Sequence, residues 1–100
     1  MKPENGNVIH NLETHRFEIA VDGHIAMLEY VPRGNVIVFT HTYVPPAIEG
    51  RGLGSLLVEA GLTYARDNEL RVKSFCWFVS KYIRLNPEYQ DLLYKPTSRE

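Results

Sequence analysis

Three glycines and a serine fall within the six residues Gly50-Arg51-Gly52-Leu53-Gly54-Ser55. Where such a turn opens a helix, its backbone N–H groups have no intrahelical acceptor and stand at the positive end of the helix dipole. Glycine adds no Cβ to block an approaching anion. That is the chemistry of a phosphate cradle. It is neither a P-loop, since Gly-x-x-x-x-Gly-Lys-Ser/Thr is absent, nor the dinucleotide Gly-x-Gly-x-x-Gly, since Gly50-x-Gly52 is followed by Gly54. The plainer use of the same residues is a connector that starts a helix. Cys76 is the only cysteine, so it closes no internal disulfide and builds no cysteine zinc site, and a reducing compartment is the simplest setting. A lone thiol in a cleft protonates a departing thiolate or accepts an acyl group; in a core it is a small hydrophobe. His41 offers an imidazole as a general base, or a hydrogen bond that closes a strand end. His10, His15 and His24 have no partner at ligand spacing, so no metal site is expected and they read as surface or strand-edge residues. Glu49, Glu59 and Asp67 read as ordinary solvated charges.

The elements that must position these residues follow from periodicity. From His15 to Asp22 the chain alternates, placing Phe17, Ile19 and Val21 on one face of a strand. Asp22-Gly23 then signals a hairpin, because a type I′ turn needs positive φ at both central residues. The return strand is expected over His24 to Val31 and, after Pro32-Arg33-Gly34-Asn35, a third over Val36 to Val44. Val36, Ile37, Val38 and Phe39 are apolar without alternation, which predicts a central strand covered on both sides. Pro45-Pro46 bars its continuation, and the glycine turn leads into a helix ending near Asn68. Leu53, Leu57, Ala60 and Tyr64 form one apolar row of that helix and Val58, Leu62 and Ala65 another, leaving a narrow polar stripe. A fourth strand is expected over Arg71 to Val79, parallel to the third because a covered helix separates them, with Trp77 turned opposite to Cys76 into the core. Ser80 to Asn86 and Pro87 to Leu93 read as two short helical pieces, and residues 1–12 and 95–100 as frayed ends. The order is β-β-β-α-β-α: an α/β (α+β) fold in which an antiparallel meander joins a βαβ unit, giving a mixed sheet with helices packed on it. Ligands of such sheets bind beyond the carboxyl end of the strand that precedes the turn, here between Val44 and Ser55.

One hundred residues make one domain, 1–100, whose 44% hydrophobic and 23% charged residues are those of an ordinary globular chain. A net charge of −1 supplies no basic field, so nucleic acid is not an expected partner. No segment approaches the roughly 18–20 apolar residues that span a bilayer, and the polar start lacks the apolar core of a signal peptide. A cytoplasmic protein without a membrane partner is expected. A chain of this size buries about 60–70% of its unfolded surface, so any chemistry belongs in a surface cleft. The sequence carries no signal for an oligomeric state.

Taken in order, the residues around the glycine turn resemble the GNAT superfamily of acetyl-coenzyme-A-dependent N-acetyltransferases, whose signature is Gln/Arg-x-x-Gly-x-Gly/Ala in a strand-loop-helix setting. Glu49-Gly50-Arg51-Gly52-Leu53-Gly54 fits the glycines, while Glu49 stands where the superfamily has Gln or Arg. His41-Thr42-Tyr43-Val44-Pro45, Leu56-Leu57-Val58, Ala65-Arg66, Cys76-Trp77-Phe78-Val79, Tyr82-Ile83 and Asn86-Pro87-Glu88-Tyr89 resemble a branch of very small GNAT-like proteins. The likeness runs from about Phe17 to Leu93, and Asn86 occupies a place where that branch commonly has histidine. The resemblance implies that the third and fourth strands splay apart after Val44 and near Cys76, leaving a cleft for the pantetheine arm of acetyl-coenzyme A. The pyrophosphate is then expected on the N–H groups of Arg51, Gly52, Leu53, Gly54 and Ser55, with Val44 and Tyr89 also against the cofactor and no metal. Cys76, His41 and Tyr82 are the expected chemical groups, with Tyr82 and Tyr89 bordering the acetyl end. The expected acceptor is a small-molecule or protein amine. Two rivals are a protein that holds coenzyme A without turnover and an interaction module in which the glycine turn only caps a helix.

Overall fold

The computed structural model of the protein describes residues 7–95. Its five strands are β1 (Ile9–Asn11), β2 (Arg16–Val21), β3 (His24–Arg33), β4 (Val36–Tyr43) and β5 (Arg71–Ser74), hydrogen-bonded in that order. The helices are α1 (Leu53–Asp67) and α2 (Trp77–Leu85), with 3-10 turns at Pro46–Ile48 and Pro87–Leu92. Asp22 and Gly23, at φ 52° and 79°, close the β2–β3 hairpin, in which Val21 faces His24. β4 and β5 are parallel, with α1 as the crossover between them. This is the expected mixed sheet. Among the described residues no helix is long and apolar enough to cross a membrane.

Phe17, Ile19, Leu28, Ile37, Phe39 and Val72 form one face of the sheet and pack against Leu57, Val58 and Leu62 of α1 and Val79 and Ile83 of α2. Gly61 lets α1 come this close: a Cβ there would stand 2.9 Å from the Phe39 ring. Arg66 ties the end of α1 to the last turn, donating twice to Asp91 at 3.0 Å and once to the Glu88 carbonyl at 2.8 Å.

Several expectations are corrected. The apolar run from Val36 to Phe39 is covered by helices on one side only. Ile37 and Phe39 lie under them, while Val38 is buried to 9% exposure among its strand neighbours on a face that carries no helix among the described residues. The fourth strand stops at Ser74 instead of Val79. The Ser74 hydroxyl accepts from the Cys76 N–H (3.3 Å) and donates to the Cys76 carbonyl (2.9 Å), a local turn that competes with the ladder, and the Ser80 N–H then bonds to Cys76 O as the first turn of α2. Trp77 is therefore a helix start, 71% exposed, and not a core residue. Within the stretch expected to fray, Ile9–Asn11 form a strand on β2. His10 anchors it: its ring stacks on Phe17 (centroids 4.1 Å), meets Tyr64 edge-on (4.4 Å), and lies 2.6 Å from the Tyr30 hydroxyl. His10 thus stands on the edge strand, half-buried by these contacts, as a strand-edge residue. Residues 1–6 and 96–100 lie outside the described residues.

One irregularity shapes the end of the sheet. Tyr30 faces Phe39 but Glu29 faces His41, so Thr40 is an extra residue in β4, and its hydroxyl donates to the Glu29 carbonyl at 3.2 Å. Such a bulge reverses which side chains face which side. Strict alternation from Ile37 and Phe39 would turn His41 toward the helices. The bulge instead turns Thr42, opposite the buried Leu28, to the helix side, and His41 and Tyr43 to the bare side.

Candidate functional site

β5 pairs with β4 only as far as Phe39↔Ser74, the last bond running from the Phe75 N–H to Phe39 O at 2.9 Å. Beyond it β5 turns into α2 while β4 continues through Tyr43, so the two strands part and leave this edge of β4 without a strand partner among the described residues. Pro45 and Pro46 then turn the chain, and Gly50 and Gly52, at φ 81° and 75°, adopt the left-handed backbone that aims α1 back over the sheet.

Gly52 is the N-cap of α1 and, having no side chain, caps nothing; the first turn holds no acidic residue. The first helical bond runs from the Leu56 N–H to Gly52 O, so the N–H groups of Leu53, Gly54 and Ser55 have no acceptor within the helix. They face a cavity of about 600 Å³ walled by Thr42, Val44, Glu49, Gly50, Gly52 and Phe78 among others. A Cβ built on Gly50 or Gly52 would meet nothing within 4 Å, which leaves the approach to these donors open.

The structure thus brings Val44, Gly52, Leu53, Gly54 and Ser55 to one cavity. Arg51 does not line it, because its guanidinium reaches Asp22 of the hairpin turn at 3.0 Å. Cys76 is buried, and its Sγ lies 3.3 Å from Thr42 Oγ1, so Thr42 joins the thiol to the cavity wall. His41 is exposed on the opposite side of β4, across from Glu29. Tyr82 and Tyr89 form a pair with ring centroids 6.0 Å apart, and neither lines the glycine cavity. Burial first, then the Glu59 carboxylate, pushes both phenols up, so each hydroxyl stays protonated.

The cavity wall also includes Thr42, Tyr43, Pro46, Glu49 and Phe78, which the sequence does not assign to the site. Thr42 was hidden by the bulge, which no propensity rule announces. Phe78 belongs to an apolar run that fits strand and helix equally, and it packs beneath Gly54, where a Cβ would stand 3.0 Å from its ring. Glu49, read as a solvated charge, is exposed and also lines the cavity.

Comparison with known proteins agrees with this geometry. A family model described as GCN5-related N-acetyl-transferase matches residues 16–92. The chain is similar to Protein NATD1 of Mus musculus, 30% identical over 84 residues that cover 80% of this chain and 76% of the relative. Protein NATD1 of Homo sapiens is likewise 30% identical, over 80% of this chain and 74% of its own length. The fold is similar to that of a GCN5-like protein from Staphylococcus aureus solved by NMR in solution, with a TM-score of 0.71 and 26% identity, covering 92% of this chain and 91% of the other.

Proposed function

The chain belongs to the GCN5-related N-acetyltransferase family, and we propose that it binds acetyl-coenzyme A at the N-terminus of α1 and passes the acetyl group to an amine. One observation carries this reading: three unpaired helix N–H groups open onto a cavity of about 600 Å³ whose wall includes Thr42, and the Thr42 hydroxyl lies 3.3 Å from the buried sulfur of Cys76.

The fit to the cosubstrate rests on the chain's own groups. The N–H groups of Leu53, Gly54 and Ser55 suit a pyrophosphate, and Gly50 and Gly52 leave room for it. The unpaired edge of β4 from Thr42 to Val44 offers backbone groups to an amide-bearing arm. When bound, acetyl-coenzyme A supplies an activated carbonyl and a good leaving group. As the new N–C bond forms, the amine gives up one proton; as the C–S bond breaks, the departing sulfur takes one up. The protein must therefore hold both partners in register and move one proton. Cys76 is assigned as the donor to the departing sulfur, oriented by the Thr42 hydroxyl. Tyr82 ranks behind it because, among the described residues, its hydroxyl has no hydrogen bond to a residue of the cavity wall, whereas the Cys76 sulfur lies 3.3 Å from Thr42 Oγ1. His41, on the bare side of β4, is the candidate base for an amine arriving from that side.

Binding is tested by thermal shift. Coenzyme A at 100 times its Kd should stabilise the fold by about 2.7 kcal/mol, and no shift with coenzyme A or acetyl-coenzyme A would remove the reading. Turnover against an amine panel then separates an enzyme from a coenzyme A carrier, the alternative favoured by the position of His41 across the sheet from the cavity. Direct transfer predicts that Cys76→Ser keeps binding and loses turnover within the 10²–10⁴-fold range of acid–base catalysis. An acetyl mass on Cys76 that an amine discharges would replace direct transfer with an acyl-enzyme route. Thr42→Val should slow turnover and alkylation of Cys76 by iodoacetamide alike, with rescue by Thr42→Ser; alkylation unchanged in Thr42→Val would free the thiol from Thr42.

A further inference from the structure

The sheet is sided. α1 and α2 pack on one face, and on the other lies a groove of about 540 Å³ floored by Val31, Val36, Val38 and Phe75. Two charged side chains line it, Arg33 and Lys73, and both are cations. The register sets them around the floor: Arg33 pairs with Val36 across β3 and β4, and Lys73 with Val38 across β4 and β5. Neither has a carboxylate within ion-pair distance among the described residues, and the Lys73 ammonium lies over the Tyr94 ring at 5.2 Å. Cations that no carboxylate of the fold neutralises, set on an apolar floor, suit an anionic group carried on an apolar body.

The groove ends where β4 and β5 part. Phe75 stands at that end, its N–H giving the last ladder bond to Phe39 O, and Thr40, the bulge residue, lines the groove beside it. His41 follows on the same bare side, opposite Glu29. Beyond Phe75 no strand among the described residues closes the edge of β4, on whose helix side the Thr42 hydroxyl meets the buried Cys76 sulfur at 3.3 Å. A molecule held in the groove by its anionic group therefore has its other end at the fork, between the candidate base and the candidate acid.

We propose that this groove holds the acceptor, and that the acceptor is an amine joined through an apolar spacer to a carboxylate, which Arg33 and Lys73 bind. The inference rests on the acetyl transfer proposed above and adds to it the class of the amine. From Val36 to Thr40 β4 advances about 13 Å, and the carboxylate lies between the rows of Val36 and Val38, so amine and carboxylate stand about 10 Å apart. An extended ω-amino carboxylate such as 8-aminooctanoate matches that span. An α-amino acid, with both groups on one carbon, does not.

Acetylation of 8-aminooctanoate, octylamine and 1,8-diaminooctane tests this. The amino carboxylate should have a kcat/KM about tenfold above that of octylamine, with the diamine poorest. In Arg33→Gln/Lys73→Gln that preference should fall toward one, and Arg33→Glu/Lys73→Glu should turn it toward the diamine, a reversal that a merely structural role does not give. Octanoate, which cannot be acetylated, reads the groove without turnover: it should shift the amide resonances of Val36, Val38 and Lys73 in the wild type and not in Arg33→Gln/Lys73→Gln. Equal turnover of 8-aminooctanoate and octylamine overturns the acceptor assignment and leaves acetyl transfer in place. Resonances unmoved by octanoate overturn it whatever the amines show. Coenzyme A binding without acetylation of any amine removes the transfer itself, and the acceptor role falls with it.

Discussion

Gly52 meets two demands at one position, a left-handed backbone at φ 75° and an open approach to the first N–H groups of α1. Because a Cβ there touches no protein atom, substitution acts through backbone strain and the cavity, not through packing. Gly52→Val is expected to fold with a stability loss of about 1–2 kcal/mol, the ordinary cost of the left-handed region for a residue with a side chain, and to lose coenzyme A binding. Thermal unfolding and a coenzyme A titration read the two effects separately; a folded variant of unchanged affinity would refute the cradle. Glu49 works in the opposite direction. Glu49 is exposed and lines a cavity assigned to a pyrophosphate, and like charges a few ångströms apart repel across solvent by about 1 kcal/mol or less. Glu49→Gln should therefore tighten coenzyme A binding about two- to fivefold by isothermal titration. Weaker binding would show that the carboxylate orients the loop. At this scale the sequence was legible where glycine spacing constrains the backbone, as at 50–54. It was illegible at Thr42, whose side is set by an extra residue in a neighbouring turn of the strand.

The elements differ in how much local rule and how much tertiary contact decides them. Asp22-Gly23 specifies its hairpin alone, and α1 is readable from its two apolar rows, since both signals lie within the segment. β1 is not, because three residues with little apolar content become a strand only through His10, whose ring is held by Phe17, Tyr64 and the Tyr30 hydroxyl. β5 was overextended because Phe75 to Val79 is apolar enough for either state, and a Ser74 hydroxyl decided it. The anchoring of β1 has a pH consequence. Burial, and then the charge of His15, lowers the His10 pKa below its ordinary 6.5, while burial raises that of Tyr30, so the neutral pair with the phenol donating to the imidazole is favoured. A histidine whose folded pKa is depressed contributes stability that is complete above the unfolded value and is lost as pH falls through the folded one. Below about pH 6.5 the thermal midpoint should therefore fall more in the wild type than in His10→Gln, which keeps a side-chain acceptor for Tyr30 without a titrating ring. Parallel curves for the two proteins would remove His10 from the acid response.

For the molecule as a whole, the charge balance argues about how an anion is held. The net charge is −1, the cavity is lined by one acidic residue and by no lysine or arginine, and Arg51, the cation nearest in sequence, is engaged by Asp22 at 3.0 Å. Coenzyme A, a polyanion, then meets a domain that does not attract it at a distance, and its hold comes from short-range backbone N–H groups at a helix start. Such donors are neutral and release no counterions, so their contribution is nearly independent of ionic strength, whereas a lysine-lined phosphate site loses affinity steeply as salt screens it. Coenzyme A affinity is expected to stay level or rise slightly between about 50 and 500 mM NaCl, the rise reflecting relief of repulsion from Glu49 and vanishing in Glu49→Gln. Arg51→Ala should change that affinity by no more than about twofold, since it leaves the backbone N–H groups in place. A steep loss of affinity with salt, abolished by Arg51→Ala, would mean that the guanidinium leaves Asp22 for the phosphates, and the cradle would then be one of charge and not of backbone.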